Sequence, residues 1–382
     1  MSARPLEVER PVAPLELFFD LVFVFAFTQV TTLLSHDPTW RGLGRGVLVL
    51  AVLWWAWSSY AWLTNAVDPE EGAILGALIA ASGALFIAAL AVPDAFGDEA
   101  VVFGVAFLIV GAMQATLFAL SSHDEPELFR AVLRLAPWVV GGSALILVAG
   151  FVDGPLRPVL WVAALVVGFL GPGLAGVRGW SVQTAHFAER HGLIVIIAIG
   201  ESLVAIGVGV RGIHLDGDVI LAALLGFVVA TSFWLAYFDF FSIRMRRLLN
   251  ERAGEERTAL ARDVFTYLHL PMVAGVVLFA FALKVTLAHR HAELGGVEAL
   301  ALCGGPALFL SAFLALRFRV SHSLGRGRLA ATVAFVLLIP VALVVPAVVA
   351  LALVAGVWAA LHVYELIWWR APRARTRLQR FE

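Results

Sequence analysis

Residues 101–120 read VVFGVAFLIVGAMQATLFAL and contain no aspartate, glutamate, lysine or arginine. A helix of this length rises about 30 Å, which matches the hydrocarbon core of a bilayer. A longer stretch, residues 330–369, has Glu365 as its single formally charged side chain. Strands of an outer-membrane barrel would instead alternate with a period of two residues. The two stretches therefore predict an all-α polytopic membrane protein.

The composition of the whole chain agrees with this class. Of 382 residues, 61% are hydrophobic and 14% are charged, whereas about a quarter of a soluble chain is charged. The single cysteine, Cys303, excludes an internal disulfide and a cysteine-based metal site. No zinc-protease, hydrolase or nucleotide-binding motif is present in the sequence. We therefore expect no metal, no cofactor and no nucleic-acid partner, with the lipid bilayer as the surrounding medium.

Apolar segments of sufficient length predict about twelve spans. Their approximate limits are 16–35, 46–65, 72–92, 100–121, 131–152, 156–177, 191–210, 219–241, 263–288, 295–316, 329–345 and 347–369. The last pair depends on a turn, because a single helix of forty residues would overrun any bilayer. Pro340 and Pro346 indicate that this turn lies near Pro346.

The distribution of basic residues predicts the orientation. With a cytoplasmic N-terminus, 21 of the 27 lysine and arginine residues fall in cytoplasmic segments. The positive-inside rule then places both termini in the cytoplasm of a bacterial inner membrane. The segments are a cytoplasmic N-terminal stretch (1–15), a first six-helix repeat (16–177), a second six-helix repeat (178–369) with a solvated cytoplasmic loop (242–262), and a basic cytoplasmic tail (370–382).

The two repeats are predicted to be parallel, since each contains an even number of spans. Polar residues recur at matching places in the two halves. Span 1 begins near Glu16, and span 7 begins near Glu189 and Arg190. Tryptophans such as Trp54 and Trp57 are interpreted as interfacial anchors.

Polar residues inside the spans define the candidate substrate or proton pathway. With this orientation, nearly all of them fall in the cytoplasmic half of the membrane, and Glu201 lies deepest, near the midplane. Burial of ionisable groups is costly, so we expect a shared polar cavity that opens to the cytoplasm and narrows toward Glu201. The alternative is that several of these residues snorkel or pair with loop arginines. The candidates are Glu16, Asp20, Asn65, Glu189, Arg190, Glu201, Asp239, Tyr267 and His269.

Four short motifs resemble those of one bacterial family. Residues 14–29 (PLELFFDLVFVFAFTQ) and 186–202 (HFAERHGLIVIIAIGES) are similar to the opening and central signatures of the low temperature requirement A (LtrA) family. Residues 234–239 (WLAYFD) and 267–271 (YLHLP) resemble its later motifs, in the expected order. The resemblance implies a multi-spanning bacterial membrane protein linked to growth at low temperature. It implies no particular activity, substrate or catalytic residue.

Three functions are compatible with these residues. A proton-coupled secondary transporter of a small solute or lipid-related substrate would use Glu201 or Asp20 as its coupling carboxylate. A cation channel would line its pore with spans 1 and 7. Span 1 resembles the Phe-Ser-Asp helix of a potassium-channel family with two six-span repeats, although Phe19 replaces the serine. A lipid-modifying enzyme would use His269 as base and Arg190 to hold a phosphate. The transporter is favoured because the polar groups do not continue beyond the middle of the membrane. The sequence is also compatible with a homodimer.

Overall fold

The computed structural model describes residues 10–368, apart from the side chains of residues 240 and 242–244, and this region is built from α-helices. They are α1 (Pro14–His36), α2 (Trp40–Ala66), α3 (Gly72–Ala91), α4 (Ala100–Ser121), α5 (Pro126–Gly150), α6 (Leu156–Ala175), α7 (Thr184–Gly209), α8 (Gly217–Ala236), α9 (Ser242–Asn250), α10 (Gly254–Ala261), α11 (His269–Ala288), α12 (Gly296–Ser321), α13 (Arg326–Ala342) and α14 (Ala347–Trp368). Spans 1–8 of the sequence analysis correspond to α1–α8, and spans 9–12 to α11–α14. The predicted basic tail, 370–382, lies outside the described residues.

The helices are long and apolar enough to cross a membrane. Eleven helical segments between residues 14 and 368 meet this condition by length and composition. Of the twelve helices that correspond to predicted spans, α13 is the one outside this set. It has 17 residues, which is at the short end of the spanning range. Large apolar side chains cover outward faces, for example Leu221, Leu224 and Phe227 on α8. The prediction of an all-α polytopic membrane protein is confirmed.

The turn between α13 and α14 lies where Pro346 predicted it. Helix α13 ends at Ala342 and α14 begins at Ala347. The backbone N–H of Ala347 donates to the carbonyl of Ala292 over 2.8 Å, and that of Val348 donates to Arg290 over 3.0 Å. The turn is therefore held against the loop between α11 and α12. Two separate helices, and not one of forty residues, occupy the last apolar stretch.

The helices of the two halves have the same neighbours. In the first half the packed pairs include α1–α2, α1–α3, α3–α4, α4–α5, α5–α6 and α2–α6; in the second they include α7–α8, α7–α11, α11–α12, α12–α13, α13–α14 and α8–α14. These pairs correspond one to one when α7 is matched to α1 and α11 to α3. The correspondence supports two parallel repeats, 16–177 and 178–369, which remain a prediction.

The segment between α8 and α11 is packed against the bundle and not simply solvated. It contains α9 and α10, and Met245, Leu249 and Leu260 are buried within it. A π-helical stretch precedes α9 (Tyr237–Phe241) and another precedes α11 (Arg262–Leu268). Such stretches leave backbone carbonyls out of α-helical register, so that side chains can reach them. The segment predicted as a solvated loop, 242–262, therefore contains two helices with buried apolar residues.

Candidate functional site

The candidate site lies between α1 and α7, the first helices of the two halves. They run in the same direction and are paired in register at three levels. Glu16 meets His186, Asp20 meets Arg190, and Thr31 meets Glu201, each pair separated by 170 residues in the chain. Because residues four apart share one face of a helix, Glu16 and Asp20 present two carboxyl groups to His186 and Arg190. We call the end of the helix bundle at which α1 begins the N-terminal side, and the other end of the bundle the opposite side.

Two carboxyl groups share one guanidinium at the N-terminal side. Arg190 Nη1 lies 2.7 Å from Glu16 Oε1, and Nη2 lies 2.8 Å from Asp20 Oδ1. His186 Nε2 lies 2.9 Å from Glu16 Oε2. The arginine side chain is 1% exposed, and the other three residues are equally buried. We call Glu16, Asp20, His186 and Arg190 the charged cluster.

The hydrogen bonds of Asn65 determine the tautomer of His186. The backbone N–H of Gln183 donates to Asn65 Oδ1 over 3.0 Å, which places the amide nitrogen of Asn65 toward the histidine. That nitrogen lies 3.2 Å from His186 Nδ1, and because it can only donate, Nδ1 is the acceptor. The proton of the ring is therefore on Nε2, where it is donated to Glu16. His186 is neutral in this arrangement.

The charged cluster then has more negative than positive charge. With both carboxyl groups ionised and His186 neutral, Arg190 leaves one negative charge uncompensated. A buried unpaired charge is expensive, so this arrangement is suited to taking up a proton or a monovalent cation. A void of about 10 Å³, which is the size of one water molecule, lies beside Glu16, Thr64 and Arg190.

The charged cluster is closed toward the N-terminal side. The backbone N–H of Ala13 donates to Glu16 Oε2 over 2.9 Å. Arg10 donates to the carbonyls of Val67 and Thr64 at the end of α2. The sequence predicted a cavity open to the cytoplasm, and in this respect it was wrong. Residues 10–13 cover the cluster, because the Arg10 side chain is bonded to the end of α2 and the Ala13 backbone to Glu16 at the start of α1.

Two tryptophans of α2 are buried near the site and do not act as interfacial anchors. Trp57 Nε1 donates to Asp20 Oδ1 over 2.8 Å, and the Arg190 guanidinium lies 5.9 Å from its ring centroid. Trp54 Nε1 donates to the Thr266 carbonyl over 2.8 Å. The interfacial interpretation was therefore wrong for these two residues. Apolar character alone does not separate a central helix from a lipid-facing one, because lipid tails are as apolar as a protein interior.

A second polar site surrounds Glu201. Thr28 Oγ1 lies 2.7 Å from Glu201 Oε2, and Thr31 Oγ1 lies 2.7 Å from Oε1. The carboxyl group is bonded by hydroxyls and not by a cation, although Lys284 of α11 is within electrostatic range. Glu201 is 2% exposed. We call Thr28, Thr31 and Glu201 the Glu201 site.

Glu201 lies farther from the N-terminal side than the sequence predicts. Helix α7 begins at Thr184, which is five residues before Glu189, the residue near which span 7 was predicted to begin. At 1.5 Å per residue, Glu201 is about 26 Å along a helix of about 39 Å. It therefore lies beyond the middle of α7, toward the opposite side.

An apolar layer separates the charged cluster from the Glu201 site. Residues 21–27 of α1, LVFVFAF, are all apolar. Phe23 and Phe27 are buried there, as are Ile194 and Val195 of α7. No polar side chain of α1 therefore connects the two sites, which are about 16 Å apart along the helices.

His269 lies in a separate buried site. Its Nδ1 lies 2.9 Å from the Val264 carbonyl, which the π-helical stretch makes available. Its Nε2 lies 2.8 Å from Tyr237 Oη. Because Nδ1 faces a carbonyl, it carries the proton, and the tyrosine donates to Nε2. Its ring is 5.1 Å from that of His191, which in turn lies 4.8 Å from Trp57.

The other predicted residues are placed differently. Glu189 is exposed on α7 and is not part of the charged cluster. Asp239 is half-buried in the π-helical stretch after α8. Tyr267 Oη donates to the Phe169 carbonyl of α6 over 2.8 Å. Of the nine candidates, Glu16, Asp20, Asn65 and Arg190 are thus brought together at one site.

Four residues at the two sites are not among the candidates predicted from the sequence: His186, Trp57, Thr28 and Thr31. For His186 a signal was present. Glu16 and Asp20 are four residues apart near the start of the first half, and His186 and Arg190 are four apart near the start of the second. Acidic and basic pairs with equal spacing on two equivalent helices indicate that the helices face each other. The threonines carry no such signal, because hydroxyls within apolar helices usually bond their own backbone.

Comparison with known proteins agrees with the motifs. The chain matches the family model of the bacterial low temperature requirement A protein (LtrA) over residues 11–363. An uncharacterized protein of Rhizobium meliloti (strain 1021), RA0937, is 33% identical over 314 residues, which cover 78% of this chain and 74% of that protein. No solved structure matches the chain. The resemblance noted in the sequence is confirmed, and the chain belongs to the bacterial LtrA family of multi-pass membrane proteins.

Proposed function

We propose that this protein is a proton-coupled secondary transporter of a small solute, with Glu201 as the coupling carboxylate. The observation that carries the proposal is the pair of hydroxyls around Glu201. A carboxyl group inside a membrane is expensive unless it has partners or a function. Thr28 and Thr31 are partners that accommodate it both with and without a proton.

Each threonine has two acceptors and one proton. Thr28 Oγ1 lies 3.2 Å from the Val24 carbonyl as well as 2.7 Å from Glu201. Thr31 Oγ1 likewise lies 3.0 Å from the Thr28 carbonyl. When Glu201 is ionised, both hydroxyls donate to it. When Glu201 is protonated, it donates to one threonine, whose hydroxyl proton then turns to the backbone carbonyl. Both protonation states are therefore hydrogen-bonded without movement of the helices.

The apolar layer favours a transporter over an open pore. A channel needs a continuous polar path or a narrow gate, whereas the α1–α7 interface is apolar between its two polar sites. In alternating access, one repeat rocks against the other, so that each site is exposed in turn. We assign the N-terminal side to the cytoplasm from the distribution of arginines. The charged cluster would then close the cytoplasmic side while Glu201 exchanges protons with the opposite side.

The first measurement concerns the proton on Glu201. Infrared difference spectra of the protein in lipid vesicles, recorded across a pH titration, should contain a carboxylic C=O band that disappears in Glu201→Gln. The matched control is Glu99→Gln, since Glu99 is an exposed glutamate at the start of α4 on the opposite side. This control should keep the band. A titration unchanged by Glu201→Gln would contradict the role of Glu201.

The second measurement separates transport from conduction. Vesicles loaded with a pH-sensitive dye would be exposed in turn to monovalent cations, amino acids and organic anions. We expect one class to drive proton movement in wild type and Glu99→Gln, and not in Glu201→Gln. Unitary currents in planar bilayers would instead identify a channel and overturn the transporter.

A further inference from the structure

A cavity distinct from both polar sites opens at the N-terminal side of the second half. Its volume is about 310 Å³, which falls at the lower end of small-ligand sites. It lies among the end of α12, the start of α13, the end of α14 and the segment containing α9. Phe241, Met245 and Val320 form part of its apolar wall.

The polar part of the cavity is strongly basic. Arg317, Arg326 and Arg328 line it, against a single acidic residue, Glu365. Arg328 Nε lies 2.9 Å from Glu365 Oε1, and its guanidinium lies 4.6 Å from the Phe313 ring centroid. These contacts hold Arg328 in place through Nε and leave its two terminal nitrogens without an acceptor among the described residues. The lining therefore contains three arginines and one glutamate, and the guanidinium groups are donors suited to a phosphate group.

The surface beside the cavity is apolar and exposed. Helix α13 begins at Arg326 and continues with exposed Leu329, Val333 and Leu337. These side chains lie one, five and nine residues after Arg328. Their spacing of four places them on one face of α13, which extends away from the basic end. A ligand that fits both regions carries an anionic group and one or more hydrocarbon chains.

We propose that this cavity binds the phosphate headgroup of an anionic membrane phospholipid, with its acyl chains along α13. Basic pockets between transmembrane helices at the membrane surface have the chemistry that retains such lipids. Charge complementarity also disfavours the chain's own C-terminal tail as the occupant. Residues 370–382 contain five arginines and one glutamate, and this net positive charge does not complement a basic lining.

The proposal can be tested by native mass spectrometry of the full-length protein in detergent. The probes are phosphatidylglycerol, phosphatidylethanolamine and inorganic phosphate. Wild-type protein should retain phosphatidylglycerol in preference to phosphatidylethanolamine, and inorganic phosphate should not compete. Arg317→Gln and Arg326→Gln should each weaken retention about fivefold, as expected for one basic residue at the membrane surface.

Two further variants make the result specific. Arg211→Gln is the control, since Arg211 is exposed on the opposite side, and it should retain the lipid as wild type does. Val320→Trp fills the apolar part without changing the charge, and it should displace the lipid. Equal retention of the two lipids, or no effect of Val320→Trp, would overturn the proposal. Displacement by inorganic phosphate would assign the cavity to a soluble phosphate compound instead.

Discussion

At the scale of single residues, charge balance determines which substitutions the charged cluster can accept without loss of stability. Arg190 is bound by two carboxyl groups, and its charge compensates only one of them when both are ionised. The same geometry disfavours the lipid-modifying enzyme considered from the sequence, because both terminal nitrogens of Arg190 already face carboxylates. Removal of the arginine should therefore lower the free energy of unfolding much more than removal of one carboxylate.

We expect Arg190→Gln to destabilise the protein by about 3–5 kcal/mol, the cost of breaking a buried ion pair from one side. Asp20→Asn should cost about 1 kcal/mol or less, because it removes the uncompensated negative charge and keeps an acceptor for Trp57. Thermal unfolding in detergent, followed by tryptophan fluorescence, measures both. Equal losses for the two variants would contradict the charge count.

At the scale of helices, close packing depends on particular glycines. A Cβ atom on Gly275 of α11 would lie 2.4 Å from the Gly305 carbonyl oxygen of α12, and one on Gly305 would lie 2.5 Å from the Gly275 carbonyl oxygen. Helices that cross this closely use small residues at the contact. Gly200, which precedes Glu201 on α7, is not such a contact, because a Cβ there meets nothing within 4 Å.

The two positions form a matched pair for mutagenesis. Gly275→Ala should destabilise the protein by about 1–3 kcal/mol, since the backbones of α11 and α12 must separate. Gly200→Ala should be neutral or stabilise by up to about 1 kcal/mol, because alanine favours the helical conformation. Melting temperatures of the two variants in detergent provide the comparison. A loss for Gly200→Ala as large as that for Gly275→Ala would show that the contact between α11 and α12 is not the cause.

At the scale of the whole molecule, the orientation and the number of spans can be tested together. Leu324 and Val344 are exposed at the two ends of α13, the shortest span. Single cysteines would be introduced at these positions in a Cys303→Ala background; Cys303 itself is buried. In intact cells a membrane-impermeant maleimide should label Val344→Cys, and Leu324→Cys only after permeabilisation. Labelling of both from one side would mean that α13 does not cross, and the reverse pattern would place both termini outside.

Much of this architecture follows from the sequence. Long apolar segments require helices, because a backbone inside lipid must satisfy its own hydrogen bonds. The turn near Pro346 follows from length, since forty residues exceed the thickness of a bilayer. The importance of Glu16, Asp20 and Arg190 also follows, because charged groups are rare in such segments. Family membership follows from four short motifs in a fixed order.

Only the tertiary structure decided which of these residues meet. The register of 170 residues between α1 and α7 brings Arg190 to Asp20 and Glu201 to Thr31, while Glu189, next to Arg190 in the chain, is exposed. Neighbours in sequence point in directions about 100° apart around a helix, and in an apolar segment every direction is equally compatible with lipid. The sequence by itself thus determined that the chain crosses the membrane and which groups are costly to bury there. The packing of these apolar helices determined the partners of those groups, because specific contacts, and not hydrophobicity, distinguish one helix face from another inside a membrane.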